Sequence, residues 1–138
     1  MENWVEWLRQ AAPGTELRIQ EPMSRHTTFQ VGGPAAVWAE PGSAEELAEL
    51  AALCRREKIP YSVVGRGSNL LVGDKGYPGV VLHLGERLSR CCAEGTQVWA
   101  EAGISLAALA RYACQAGLAG LAFAAGIPGS LGGAVFMN

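Results

Sequence analysis

The sequence predicts an α+β chain in which a small parallel unit is followed by an antiparallel layer. A strand, a helix and a second strand follow one another between residues 36 and 64, which is the order of a parallel strand–helix–strand unit. The strands expected between residues 80 and 102 have no helix between them, so we expect them to pair antiparallel. Apolar residues make up 49% of the chain and charged residues 17%, which indicates a folded domain.

The first elements are predicted from spacing and turn residues. A short amphipathic helix is expected over residues 3–11, since its apolar side chains recur at helical spacing: Trp4, Trp7, Leu8 and Ala11. Pro13 and Gly14 end it. Residues 27–34 predict a strand that runs into a turn, and residues 35–40 predict a second short strand.

The helix of the parallel unit is predicted over residues 44–57. Ser43 and Glu46 form a capping-box pattern, which supplies partners for backbone N–H groups that the first turn leaves unpaired. One stripe of the helix is apolar: Leu47, Leu50, Ala51 and Cys54. Pro60 blocks continuation, and residues 61–64 then predict a short buried strand.

The second half of the chain predicts two strands and a helix. The strands are expected at residues 80–84 and 97–102. The helix is expected over residues 106–116, with Ser105 as its cap and Gly117 as its stop. Its buried face would comprise Leu106, Leu109, Ala110 and Ala113.

A first glycine loop, residues 65–70, follows the strand at 61–64 directly. Glycines at 65 and 67 permit positive φ, so the backbone N–H groups can turn to one side and form a nest for phosphate oxygens. The motif is neither GxGxxG, because residue 70 is leucine, nor GxxxxGK[ST]. A simple turn between two strands is the alternative, and Arg66 could equally pair with a phosphate or with solvent.

A second glycine loop, residues 126–133, holds four glycines and Pro128. Such a path of small residues suits a backbone pressed against a flat ligand, with N–H groups free for its polar edge. Tight packing of backbone on backbone would require the same residues. Both interpretations remain open at this point.

Several classes of function are not expected. The formal charge is −2 and the eleven lysines and arginines are scattered, so no nucleic-acid surface is predicted. Residues 117–137 carry no charge, but their glycines and Pro128 argue against a membrane helix. The four cysteines lack CxxC spacing, so we predict free thiols and no metal site. His83 is expected to be half-buried structure and His26 has no obvious partner, so no acid–base set is predicted.

Four segments in order resemble the UDP-N-acetylenolpyruvoylglucosamine reductase family. They are TFQVGGPA at 28–35, GRGSNLLVGD at 65–74, GLAGL at 117–121 and AGIPGSLGGAVFMN at 125–138. Together they cover nearly all of residues 23–138. The resemblance implies an FAD-binding domain of the vanillyl-alcohol-oxidase type with two lobes, a small parallel α/β lobe and an antiparallel lobe with helices. We expect an N-terminal helix and lead-in at 1–22, the first lobe at 23–79 and the second lobe at 80–138.

The resemblance also implies the cofactor and its site. FAD would lie between the lobes, with its pyrophosphate wrapped by Gly65, Arg66, Gly67, Ser68, Asn69 and Leu70. The flavin and its ribityl chain would lie along Gly126, Ile127, Pro128, Gly129, Ser130, Gly132 and Gly133, with Asn138 nearby. NADPH would reduce FAD, which would pass hydride to the enolpyruvyl group of UDP-N-acetylglucosamine enolpyruvate in the cytoplasm. In the family the catalytic residues come from later regions, so none is assigned here and the substrate domain is expected to be absent.

The sequence stops at Asn138 inside the last motif, and three expectations follow. The 138-residue chain should not turn over the substrate, should bind FAD weakly and should self-associate through its uncovered apolar segment. A non-enzymatic flavin- or nucleotide-binding module is the alternative class. A flavin oxidase of the same fold is a third, and it would often hold its flavin covalently through a residue such as His26 or His83.

Overall fold

The computed structural model describes residues 2–137, which fold into a four-stranded sheet, a two-stranded sheet and helices. The first lobe contains α1 (Glu2–Ala11), β1 (Glu16–Pro22), β2 (Pro34–Glu40), α2 (Ala44–Arg56), β3 (Tyr61–Val64) and β4 (Tyr77–His83). The second lobe contains β5 (Cys91–Glu94), β6 (Gln97–Ala100), α3 (Leu106–Gln115) and α4 (Leu131–Met137). Short 3-10 turns lie at Met23–Arg25, Glu86–Leu88 and Ala122–Gly126.

The four-stranded sheet has the order β1-β2-β4-β3. Strands β2, β4 and β3 are parallel, and β1 pairs antiparallel with β2. Val64 is opposite His83, so β3 and β4 end at the same edge of the sheet. The carboxyl edge of parallel strands is where α/β folds commonly bind ligands, and the first glycine loop begins there.

The strand predicted at residues 27–31 is wrong. These residues form a turn, in which Gln30 has φ of +56° and its N–H donates to the Thr27 carbonyl at 3.1 Å. The strand that lies beside β2 at this edge of the sheet is instead β1, in which Ile19 pairs with Val37. The sequence ELRIQEP in β1 is mostly polar, and its strand conformation depends on pairing with β2 rather than on its own apolar alternation.

Two further strand predictions need correction. The strand predicted at 80–84 is β4, which lies between β2 and β3 and not in the second lobe. The first lobe therefore extends on both sides of the predicted range 23–79, to include β1 and all of β4. The strand β3, predicted as buried, is an edge strand in which Val63 is 52% exposed and only Val64 is buried.

One face of the sheet packs on α1 and α2, as the predicted stripes require. The buried residues of this core are Leu8, Ala12, Val37, Ala39, Leu50, Leu53, Cys54, Ile59, Val80 and Leu82. The Ser43 hydroxyl accepts from Glu46 N–H at 3.1 Å, which confirms the cap of α2. The return bond differs from a standard capping box, because the Glu46 carboxylate accepts from Gly42 N–H and the Thr15 hydroxyl.

The opposite face of the sheet is covered by loops rather than by helices. Its buried cluster contains Met23, Ala35, Trp38, Val64 and Val81, with Leu70 and Val72 packed against it. Leu70 is therefore anchored in this core at one end of the first glycine loop. That anchoring places the rest of the loop at the rim of the sheet.

The second lobe confirms the predicted helix and contains an antiparallel layer, but the partner of β6 in that layer is the unpredicted strand β5 rather than the strand predicted at 80–84. Strands β5 and β6 form a hairpin that pairs Cys92 with Trp99. The Ser105 hydroxyl accepts from Ala108 N–H at 3.1 Å to cap α3, and Gly117 follows it at φ of +76°. Between residues 2 and 137, no helix is long and apolar enough to cross a membrane.

Candidate functional site

The two glycine loops form opposite walls of an open cleft of about 560 Å³ beside the carboxyl edge of the sheet. The first glycine loop lines it with residues 65–70, and the second glycine loop with residues 127–130 and 133. One wall thus belongs to the first lobe and the other to the second. The arrangement is that of a ligand site between two lobes.

The first glycine loop is shaped at Gly67. This residue has φ of +71°, and a Cβ there would overlap the carbonyl oxygen of His26. The Gly67 carbonyl in turn accepts from Thr28 N–H at 3.1 Å. The glycine is therefore required by the neighbouring segment 26–28 as well as by the loop's conformation.

The N–H groups of the first glycine loop are available to a ligand. Within residues 2–137, the N–H groups of Arg66, Gly67, Ser68 and Asn69 donate to no protein acceptor. In the same part of the chain the Arg66 guanidinium has no carboxylate within ion-pair distance. Backbone donors beside an unpaired cation are the features of an anion-binding nest.

The second glycine loop is held by the connection between β6 and α3. Leu131 N–H donates to the Ile104 carbonyl at 2.8 Å, and Gly132 N–H donates to the Ala102 carbonyl at 2.9 Å. Ser130 is 3% exposed, and its hydroxyl accepts from Gly133 N–H at 3.2 Å at the start of α4. The loop is thus fixed by backbone bonds before any ligand binds.

The two loops approach each other at two glycines. A Cβ on Gly65 would be 2.5 Å from the Ser130 Oγ, and a Cβ on Gly129 would be 2.9 Å from the Ser68 Oγ. Side chains at these positions would push the loops apart. The packing of loop on loop that was posed from the sequence therefore occurs at Gly65 and Gly129, and the same loops also line the cleft.

Two of the predicted site residues that the structure describes do not line the cleft. Gly132 faces the other way, since a Cβ there would be 2.9 Å from the Ala102 Cβ. Gly126 ends the preceding 3-10 turn and lies outside the lining. Asn138 lies outside the described residues. The lining also includes residues that the sequence did not single out: Ser62, Val63, Val64, Ala134, Phe136 and Met137.

A smaller pocket of about 400 Å³ is also lined by residues of both glycine loops. Arg66 and Ser68 line it together with residues 127–129, as they line the main cleft. Thr28, Ser105 and Ala107 complete its wall. An elongated ligand could therefore extend to both sides of the point where the loops meet.

A histidine–tryptophan stack, formed by His26, Trp38 and His83, lies under the first glycine loop. The His26 ring is 3.8 Å from the Trp38 ring at an interplanar angle of 20°, and the His83 ring is 4.7 Å from Trp38. His26 Nε2 is 2.9 Å from Glu21 Oε1, so the expectation that His26 has no partner is wrong. His83 Nδ1 is 3.3 Å from Glu40 Oε1, and Trp38 donates to the same oxygen at 2.9 Å.

Ionisation in and near this stack follows from its contacts. The hydrogen bond from His26 lowers the pKa of the Glu21 carboxyl, so the carboxylate form is favoured. Burial lowers the pKa of His83 despite the neighbouring Glu40. His83 is half-buried, as predicted, and neither histidine lines the cleft.

The cysteines and other ligating side chains give no metal site in residues 2–137, where no three of them cluster. Cys54 is buried in the core of the first lobe, and burial raises the pKa of its thiol to about 11. Such a thiol is not a nucleophile near neutral pH. The chemistry of the cleft therefore depends on backbone donors, hydroxyls and Arg66.

Comparison with known proteins identifies the class of domain. A family model described as FAD binding domain matches residues 34–138, and the chain belongs to this family. The match includes both glycine loops. The fold class predicted from the sequence is confirmed.

The more particular similarity is to UDP-N-acetylenolpyruvoylglucosamine reductases. The chain is 56% identical over 119 residues to the enzyme of Heliobacterium modesticaldum, covering 86% of this chain and 38% of that protein. It is 44% identical over 138 residues to the enzyme of Bacillus subtilis, covering 100% of this chain and 45% of that protein. The crystal structure of the Thermus caldophilus UDP-N-acetylenolpyruvylglucosamine reductase matches with a TM-score of 0.63 and 38% identity, over 88% of this chain and 41% of that chain. The chain thus spans less than half the length of these relatives, and the resemblance predicted from the four motifs is confirmed.

Proposed function

We propose that this chain is the FAD-binding part of an NADPH-dependent reductase that converts UDP-N-acetylglucosamine enolpyruvate to UDP-N-acetylmuramate in the cytoplasm. The observation that carries the proposal lies at the carboxyl edge of the parallel strands. Within residues 2–137 the N–H groups of residues 66–69 have no protein acceptor, and the neighbouring Arg66 guanidinium has no carboxylate partner. The similarity to reductases of that name supports the choice of substrate. NADPH is proposed as the reductant on the resemblance to this family of reductases.

The residues present fit a dinucleotide. The first glycine loop would hold the pyrophosphate through backbone N–H groups, the Arg66 guanidinium and the Ser68 hydroxyl. The second glycine loop would lie along the ribityl chain and the ring system, where Ile127 and Pro128 supply apolar contact. Bound FAD would supply the hydride-transfer chemistry, and this chain would bind and orient it.

We place no residue of this chain in the proton-transfer step. The two histidines of the chain belong to the stack beneath the first glycine loop and do not line the cleft. This arrangement also gives no support to the alternative of a covalent histidyl flavin. In the reductase we propose, the acid and the substrate-binding residues come from a substrate domain beyond residues 1–138.

The proposal is tested by comparing FAD with FMN and riboflavin in a fluorescence titration of the purified protein. A pyrophosphate site predicts that FAD binds most tightly. Arg66→Ala should weaken FAD by about 10- to 100-fold, because it removes a hydrogen bond to a charged group worth about 1.5–3 kcal/mol, and should leave riboflavin unchanged. Arg25→Ala is the matched control, since Arg25 is exposed and lines neither pocket. Equal affinity for FAD and riboflavin would reject the pyrophosphate assignment.

Turnover separates flavin binding from the complete reaction. Substrate-dependent oxidation of NADPH is expected only when the substrate-binding part is present. The 138-residue chain alone should show none. Steady turnover by pure residues 1–138 would place the catalytic residues within this chain and contradict our assignment.

A further inference from the structure

The segment 26–28 braces the first glycine loop from the side opposite the cleft. Thr28 N–H donates to the Gly67 carbonyl at 3.1 Å, and the His26 carbonyl fills the space beside the Gly67 Cα. Thr27 between them is buried, and its hydroxyl donates to the Val31 carbonyl at 3.3 Å. The conformation of Gly67 therefore depends on where this segment lies.

His26 fixes that segment to the sheet. Its ring is stacked on Trp38 at 3.8 Å and bonded to the buried Glu21 carboxylate at 2.9 Å. Its backbone N–H donates to the Met23 carbonyl at 2.9 Å. Arg18 also reaches Glu21, at 3.3 Å, so the carboxylate keeps a second partner when His26 is replaced.

We propose that His26 is a positioning residue for the first glycine loop. With its ring anchored on Trp38 and Glu21, it holds its own carbonyl against Gly67 and so turns the N–H groups of residues 66–69 toward the cleft. The identity of the ligand rests on the proposed function, in which these N–H groups bind the pyrophosphate of FAD. The brace itself exists without the ligand.

This role differs from ordinary packing. A residue that only fills space would affect stability and leave the loop unchanged. His26 instead connects a buried carboxylate and an aromatic face to a backbone contact with the loop, so its loss should free the loop while the sheet core remains intact. His26→Gln retains a side-chain donor for Glu21 and a flat amide over Trp38, whereas His26→Ala retains neither.

The first measurement is amide hydrogen exchange of the purified protein without flavin. In His26→Ala the Thr28 amide, which donates to the Gly67 carbonyl, should exchange faster than in the unaltered protein, and His26→Gln should restore most of the protection. Arg25→Ala, on the neighbouring exposed residue, should change nothing. Unchanged exchange in His26→Ala would overturn the proposal whether or not FAD binds.

The second measurement is FAD affinity of the same variants. His26→Ala should raise the Kd about tenfold, the cost of ordering roughly one more residue's backbone on binding, and His26→Gln should recover most of the affinity. Faster exchange with an unchanged Kd would overturn the link between the brace and the cofactor. Failure of the unaltered protein to bind FAD, with the expected exchange pattern, would reject the proposed function and support the brace.

Discussion

The carbonyl oxygen of His26 occupies the space that a Cβ atom on Gly67 would require. Gly67 also has φ of +71°, in the region that residues with side chains rarely adopt. Two independent constraints therefore select glycine at the middle of the first glycine loop. A change at this position should alter the loop before it alters the rest of the first lobe.

Gly67→Val should abolish FAD binding while most of the fold remains. The valine side chain would displace either the loop or the segment 26–28, and the left-handed backbone would be strained. Gly73→Ala is the matched control, because a Cβ there meets no atom within 4 Å. Flavin titration and far-UV circular dichroism decide the outcome. A Gly67→Val protein that binds FAD with unchanged affinity would show that the loop is only a turn.

Ser68→Ala and Ser130→Ala should affect different properties, the first FAD affinity and the second stability. The Ser68 hydroxyl lines the cleft and bonds to no protein group within residues 2–137, so its loss should weaken FAD about 10- to 100-fold with little change in stability. The buried Ser130 hydroxyl caps α4, so its loss should lower the free energy of unfolding by about 1 kcal/mol. Thermal melts and flavin titrations on both variants measure the contrast. The same changes in FAD affinity and in stability in the two variants would contradict this prediction.

Acid should destabilise the first lobe in two steps. The pKa of His83 is lowered by burial, so as pH falls below the ordinary value of 6.5 the unfolded chain binds a proton before the folded one, and stability declines. The pKa of Glu21 is lowered by the bond from His26, so its contribution is present above the ordinary value of 4.5 and is lost as pH falls through the lowered one. Urea unfolding from pH 7 to well below pH 4 measures both steps.

Single variants should separate the two steps. His83→Asn should remove the decline that begins near the ordinary histidine pKa of 6.5. Glu21→Gln should reduce the decline below the ordinary glutamate pKa of 4.5 and keep an oxygen that accepts from His26; Glu40 and Glu46, whose pKa values are also lowered, account for the rest. If His83→Asn leaves the upper step unchanged, the histidine is charged in the folded protein and our assignment of its ionisation is wrong.

The exposed apolar side chains of α4 predict self-association of the 138-residue polypeptide. Val135 is 72% and Phe136 87% exposed, and Phe123 and Met137 are exposed as well. Clustered apolar surface of this kind is unusual on a soluble monomer. The double change Val135→Ser and Phe136→Ser should reduce the associated fraction in light scattering, whereas Trp99→Ser on the β5–β6 hairpin should not. A monodisperse monomer carrying stoichiometric FAD would contradict this prediction.

The local elements were predictable because their signals are local. Helices α2 and α3 carry their own caps and apolar stripes, so their bounds follow from Ser43, Ser105 and Gly117. Strand β1 was not predictable from its polar sequence, since it exists through pairing with β2. The position of β4 between β2 and β3 is a property of sheet order, which no local pattern contains.

The site was predictable as two loops but not as an arrangement. Glycine content identified both loops, and the structure brings them together at one cleft. The bond between His26 and Glu21 was not predictable, because it joins a 3-10 turn to the end of β1, a strand absent from the prediction. A contact that depends on the tertiary fold cannot be predicted from the spacing of residues along the sequence.

The contacts of Gly65 with Ser130 and of Gly129 with Ser68 have a consequence for the geometry of the whole molecule. At both points the lobes approach each other at a glycine, whose Cα carries a hydrogen atom where every other amino acid carries a Cβ. Among residues 2–137 no hydrogen bond or ion pair joins the two loops across the cleft, so the width of the cleft is set there by steric contact. An alanine at residue 65 would push the two loops apart and widen the cleft. The polar groups that face a ligand would be the same as before.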